Sequence, residues 1–212
     1  MVNSTKRFYY FILKQIRYIF SLIKWRLLAG ILIECFLFTF KGGITLFYGI
    51  PVGRTLRTIP IFWIFQLILP ALVIGDSVSY FIKKSYPRFF RAKRDLILLL
   101  IFIFVGLSVS VIYIPLTISV LSVKFKLYVY LNLLAVAYAY ALLSILFEPV
   151  YVLIGLLTLL MVTSLFGVPT FISQTMLARF ISFSLGDLLK TITFSLACLF
   201  LTYYQLNRID FL

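Results

Sequence analysis

Residues 96–121 read LILLLIFIFVGLSVSVIYIPLTISVL, an unbroken run without a single charge. A helix rises about 1.5 Å per residue and the hydrocarbon core of a bilayer is about 30 Å thick, so about 20 apolar residues suffice to cross it. The run meets that length with residues to spare. On either side the character changes abruptly, to Lys93-Arg94-Asp95 before it and to Lys124 and Lys126 after it. Five further windows have the same make-up: about 27–49, 59–82, 127–147, 150–172 and 188–206. The expected fold is an all-α integral membrane protein with six transmembrane helices, built as one transmembrane domain over residues 1–212.

Composition agrees with that reading. The chain is 63% hydrophobic and 12% charged, whereas a soluble domain carries about 25% charged residues. A soluble enzyme, a disordered tail and a nucleic-acid-binding domain are therefore set aside, although Lys and Arg outnumber Asp and Glu 20 to 6 and the net charge is +14. On a soluble chain such a balance points to nucleic acid; here the cations fall between apolar runs, where they orient the helices. The sequence has no His, which removes imidazole acid–base chemistry, imidazole metal ligation and imidazole pH switching. Cys35 and Cys198 lie inside apolar runs without a CxxC partner and are expected as buried free thiols. The basic N-terminus is not followed by a short apolar core with a small-residue cleavage site, so no secretory leader is expected.

Cations choose the orientation. With the N-terminus inside, 13 of the 20 Lys and Arg fall on the cytoplasmic side, in residues 6–26, in the 83–94 loop and at Arg208. Seven fall outside: Lys41, Arg54, Arg57, Lys124, Lys126, Arg179 and Lys190. Both termini are therefore expected in the cytoplasm. In residues 6–24, Arg7, Lys14, Arg17, Ser21 and Lys24 recur at helical spacing, with Phe8, Phe11, Ile12, Ile16, Ile19, Phe20 and Ile23 on the rest of the surface. A basic stripe on a wide apolar face predicts an interfacial amphipathic (elbow) helix, its cations against anionic lipid headgroups; packing on a partner protein is the other reading. Only Glu148-Pro149 separates the fourth and fifth windows, which predicts a tight cytoplasmic hairpin. Between the fifth and sixth, residues 166–187 stay apolar past Gly167 and Pro169, which predicts a re-entrant or interfacial piece on the outer side.

Few groups are present to build chemistry. The acids are Glu34, Asp76, Asp95, Glu148, Asp187 and Asp210, and of these Glu34 and Asp76 fall inside expected spans. An intramembrane carboxyl is costly and often lines a transport path or a partner contact. Against that, Asp76 lies near the end of its helix, where it reaches water, and Glu34 is open to silencing by a nearby cation or a proton. Tyr138 and Tyr140 in AVAYAYALL join Glu34 as candidate translocation-path residues, with plain packing as the alternative. No nucleophile elbow, paired-Asp motif, HExxH or phosphate-cradling Gly loop is present, so no catalytic role, no metal and no cofactor is assigned to this chain. The loop KKSYPRFFRAKRD (83–95) mixes six cations with Tyr86, Phe89 and Phe90. Anchoring to headgroups needs cations alone; Arg with aromatics is what interface cores favour.

The order of these parts resembles the permease subunits of ABC-2-type ABC transporters. The likeness rests on the basic segment 6–24, six apolar runs with both ends inside, and the apolar outer stretch before the last run. It rests further on GDSVSYFIKKSYPRFFRAKRDLILL (75–99) and the ending NRIDFL (207–212). The resemblance implies a coupling loop at Ser85, Tyr86, Pro87, Arg88, Phe89 and Arg91 that fits a cleft on an ABC ATPase subunit dimer, with ATP and Mg on that partner. It also implies a second permease copy or a related permease, surrounding membrane lipids, and export of a peptide, bacteriocin or amphiphilic drug across a bacterial cytoplasmic membrane. Two alternatives are a substrate-capture subunit of an energy-coupling-factor importer and a non-transporting assembly or sensor subunit.

Overall fold

The computed structural model describes residues 2–39, 50–51, 58–59, 61–84, 94–118, 122–166 and 185–208. The described residues are helical apart from one two-residue antiparallel ladder. In order it forms α1 (Val2–Thr39), β1 (Ile50–Pro51), β2 (Thr58–Ile59), α2 (Ile61–Ile74), α3 (Ser77–Lys84), α4 (Arg94–Ile118), α5 (Val123–Leu146), α6 (Pro149–Phe166) and α7 (Leu185–Arg208). In the ladder Ile50 faces Ile59 and Pro51 faces Thr58.

Among the described residues four stretches are long and apolar enough to cross a bilayer: Phe62–Tyr80, Leu98–Ile118, Val123–Leu146 and Leu185–Leu206; Pro149–Ser164 is a shorter apolar helix. Their outer faces carry large apolar side chains, among them Phe102 and Ile114 on α4, Ile154 and Leu159 on α6, and Leu196 and Phe200 on α7. Soluble proteins rarely expose contiguous apolar area on this scale, so the protein is a membrane-embedded helical bundle. Lipid tails are as apolar as Leu, so what holds such helices together is close packing and interhelical hydrogen bonds. Hydroxyls within the helices are satisfied locally: Ser108, Ser144, Thr158 and Thr202 each donate to the carbonyl four residues back, at 2.7–2.9 Å.

α5 is the central helix and packs against α2, α3, α4, α6 and α7. Ser122 caps its start by accepting from the Phe125 N–H at 3.3 Å, which supplies one of the first-turn donors with a partner. Its end is equally abrupt. Phe147 and Glu148 alone separate it from α6, whose first residue is Pro149, a position where a missing N–H costs nothing. The tight hairpin expected at Glu148-Pro149 is present.

Three features differ from expectation. The segment 6–24 is not a separate helix: α1 runs without a break from Val2 to Thr39, about 57 Å at 1.5 Å per residue. The reason is its packing stripe. Phe20, Ile23, Leu27, Gly30 and Glu34 recur at steps of three and four and are the positions α1 turns inward. That seam passes straight through Trp25-Arg26, where no Gly or Pro interrupts it. Phe20 meets Phe104 of α4 edge-on, with ring centroids 5.8 Å apart. Second, the window 59–82 is not one helix. α2 ends at Ile74 and α3 begins at Ser77, with Gly75 at φ +50° between them. Third, Cys35 is exposed on α1 rather than buried, while Cys198 is buried. The expected outer piece within 166–187 lies almost wholly outside the described residues, as does most of the second half of the 27–49 window.

Candidate functional site

Two of the buried polar side chains, Glu34 and Gln66, meet on the seam between α1 and α2. Three contacts run along it in antiparallel register. At one end Arg26 Nη1 donates to Asp76 Oδ1 at 2.8 Å, with both side chains about half exposed. One turn along α1, Gly30 faces Val73 and Leu69; a Cβ at Gly30 would lie 3.3 Å from Val73 Cγ2. Only a small residue lets the two backbones come this close. Another turn along, Glu34 meets Gln66, whose Nε2 donates to Glu34 Oε1 at 2.9 Å. Both residues are shut away from solvent, at 0% and 1% exposure, and Glu34 Oε2 and Gln66 Oε1 have no hydrogen-bond partner.

The break at Gly75–Asp76 is a built joint. Gly75 N donates to Ala71 O at 2.8 Å and closes α2, and Tyr80 N donates to Asp76 O at 2.7 Å to open α3. The positive φ at Gly75 is a conformation that side-chain-bearing residues rarely take. A side chain there would also run into the Arg26 guanidinium. Tyr140 of α5 completes the joint. Its hydroxyl lies 3.2 Å from Gly75 O and 3.4 Å from Pro149 O. A phenol has one proton to donate, so Tyr140 divides it between the joint in the second span and the start of α6.

Among the described residues Glu34, Tyr138 and Tyr140 meet different neighbours. Two residues along a helix is a rotation of about 200°, and the two tyrosines accordingly face different neighbours. Tyr138 stacks on Phe102 of α4 with centroids 5.7 Å apart and directs its hydroxyl toward Phe102 O at 3.4 Å. Tyr140 borders an apolar groove of about 490 Å³ between α5, α6 and α7, together with Leu143, Phe147, Tyr151 and Phe194. Glu34 borders neither. The loop residues Ser85, Tyr86, Pro87, Arg88, Phe89 and Arg91 lie outside the described residues.

A second polar cluster joins α5 to α7. Asp187, in the first turn of α7, is nearly buried and takes a 3.2 Å contact from the exposed Lys190. Thr191 Oγ1 donates to Asp187 O at 2.9 Å, and Asn132 Nδ2 donates to Tyr128 O at 2.9 Å across the interface on α5. An acid in the first turn of a helix meets the positive end of its dipole, which is why Asp187 tolerates this position. Among the described residues no three His, Cys, Asp or Glu side chains gather as a metal site would require.

Sequence reasoning singled out Glu34 and passed over Gln66, Arg26 as the partner of Asp76, and the α5–α7 cluster. Gln66 had a signal: it is the single side-chain amide in the 59–82 window. The chain matches no family model, no curated protein and no solved structure.

Proposed function

We propose that this chain is the membrane-spanning permease subunit of an ATP-driven exporter of the ABC-2 type, worked from the cytoplasm by a separate ATPase. The observation that carries the reading is the joint at Gly75–Asp76. The basic, aromatic segment 85–93 follows α3 in the sequence, and α3 is a two-turn helix set off from α2 by a non-helical joint rather than a continuation of it. A partner gripping Tyr86, Arg88 and Phe89 thus pulls on a short lever. Its pivot is held by Arg26 from α1 and Tyr140 from α5, so displacement reaches three helices at once. Such coupling requires two arrangements of the bundle whose balance the partner's nucleotide state shifts. One such chain supplies half of a path, and a second copy or a related permease supplies the other half. Its cargo on this reading is a peptide, bacteriocin or amphiphilic drug.

The test is purification of the tagged full chain in mild detergent from the organism that encodes it. An ATPase carrying a Walker motif should co-elute, and simultaneous Tyr86→Ala, Arg88→Ala and Phe89→Ala should abolish that co-elution while leaving membrane insertion intact. A chain that inserts and purifies without any ATPase, or an association indifferent to the triple substitution, overturns the reading.

A further inference from the structure

The contact between Glu34 and Gln66 is chemically incomplete as it stands. One hydrogen bond is made, from Gln66 Nε2 to Glu34 Oε1 at 2.9 Å. What remains is one buried oxygen on each partner, Glu34 Oε2 and Gln66 Oε1, neither with a donor. Both leftovers are acceptors. A carboxylate placed there would be a buried charge with a single neutral hydrogen bond, which is the arrangement proteins avoid most consistently.

Among the described residues the neighbourhood supplies no cation. α1 packs against α2, α3 and α4. α2 carries no ionisable residue; α3 carries Tyr80, Lys83 and Lys84, preceded by Asp76; α4 carries Arg94, Asp95 and Tyr113. On α1 itself Cys35 adjoins Glu34, and the nearest described cation is Arg26, two turns away and already committed to Asp76 at 2.8 Å. The two ion pairs among the described residues are Arg26–Asp76 and Asp187–Lys190, and neither involves Glu34.

A single proton answers the whole deficit. Placed on Glu34 Oε2, it donates to Gln66 Oε1, and the two groups then exchange one hydrogen bond in each direction, as a carboxylic acid and a primary amide do when they pair face to face. We propose that Glu34 and Gln66 form a one-proton binding site that fastens α1 to α2. The site is independent of any transport reading: it follows from the atoms left over. It also explains why Glu34 occupies the inward stripe of α1. The stripe demands a group that packs, and a neutral acid paired with an amide packs where an ion does not. When the proton leaves, a bare carboxylate is sealed in the seam and the pairing that held the helices is lost, so proton occupancy controls whether α1 and α2 stay in register.

Infrared difference spectroscopy of the full chain in lipid bilayers at neutral pH tests this. The spectrum of the native protein minus that of Glu34→Gln should contain the carbonyl band of a protonated carboxylic acid, sensitive to deuterium exchange. Glu34→Gln keeps a two-way amide pair and so keeps the fold. Carboxylate bands in place of the acid band overturn the proposal. Gln66→Leu, which leaves the acid and removes its partner, should shift the same band toward that of a free acid. An unshifted band shows that Gln66 is not the acceptor and overturns the pairing.

Discussion

The α1–α2 seam and the α5–α6 hairpin are both contacts between antiparallel helices, and they are specified in opposite ways. α5 and α6 are joined through Phe147 and Glu148 alone. A link that short permits one arrangement of its helices, and the groove alongside it is lined almost wholly by apolar side chains, among them Val136, Ala139 and Leu143 of α5 and Val152 and Leu156 of α6. Gly155 has nothing within 4 Å of where a Cβ would stand. α1 and α2 are separated by residues 40–60, a connection long enough to let the helices slide past each other. Their register is set instead by side chains, through Arg26 with Asp76, Gly30 with Val73, and Glu34 with Gln66. Apolar faces in lipid attract without choosing a register; paired polar groups choose one.

The largest effect that would sharpen this contrast is at the joint. Gly75→Leu places a side chain at φ +50° and against the Arg26 guanidinium. The backbone alone costs about 1–3 kcal/mol, and the ion pair is displaced as well, so reversible unfolding in mixed micelles should show a loss of about 3 kcal/mol. Gly155→Leu, on the α6 face, should stay within about 0.5 kcal/mol. Equal losses at the two glycines would erase the distinction between the regions.

Next in size is the buried pair. Glu34→Met or Gln66→Met alone strands a buried polar partner, and each should cost about 2 kcal/mol. Both together replace the pair by apolar groups of similar volume, and the double variant should come out close to the native protein. The coupling energy from the four-protein cycle, about 4 kcal/mol if the double variant matches the native protein, measures how far the pair acts as one unit. Additive losses would mean the seam is held by packing alone, as the hairpin is.

Tyr140 touches both regions at once. Tyr140→Phe removes one hydroxyl and keeps the ring, so the loss should be about 1 kcal/mol. Since that hydroxyl serves Gly75 O and Pro149 O in turn, the same substitution should raise amide hydrogen exchange around Gly75. A stability loss without faster exchange there would assign Tyr140 to the hairpin only.

How far the sequence anticipates these features depends on what each one averages over. Charge-free length finds the helices from 62 to 146 and from 185 onward, because lipid imposes a minimum length and forbids unpaired backbone. The steps from Phe20 to Glu34 are equally open to reading, and they place Glu34 on the packed face and join the expected elbow to the first span. The break at Gly75–Asp76 is hidden by the same averaging that finds the helices, since two residues barely lower the mean over twenty. Nothing local marks Gly75 as left-handed rather than as a small residue at a close crossing. Gln66 escapes because a lone amide is unremarkable until the opposite helix is known to present a carboxyl at the same height. That information lies in the register, which hydropathy does not encode.

The smallest effect concerns the ion pair itself. Arg26 and Asp76 make the shortest charged contact among the described residues, 2.8 Å, yet their side chains are 46% and 63% exposed. Exposed pairs are screened and give about 0–1 kcal/mol, so Arg26→Gln should cost well under 1 kcal/mol in micelles, and the difference should vanish at 1 M salt, where the Debye length is about 3 Å. A persistent loss of about 3 kcal/mol would place the pair out of reach of solvent ions, as truncation of one member of a desolvated pair does. The joint would then belong with Glu34 and Gln66 as a buried tie. A small, salt-sensitive loss leaves Arg26 as a steric gate over Gly75, with the register of α1 and α2 carried by the contacts one and two turns along.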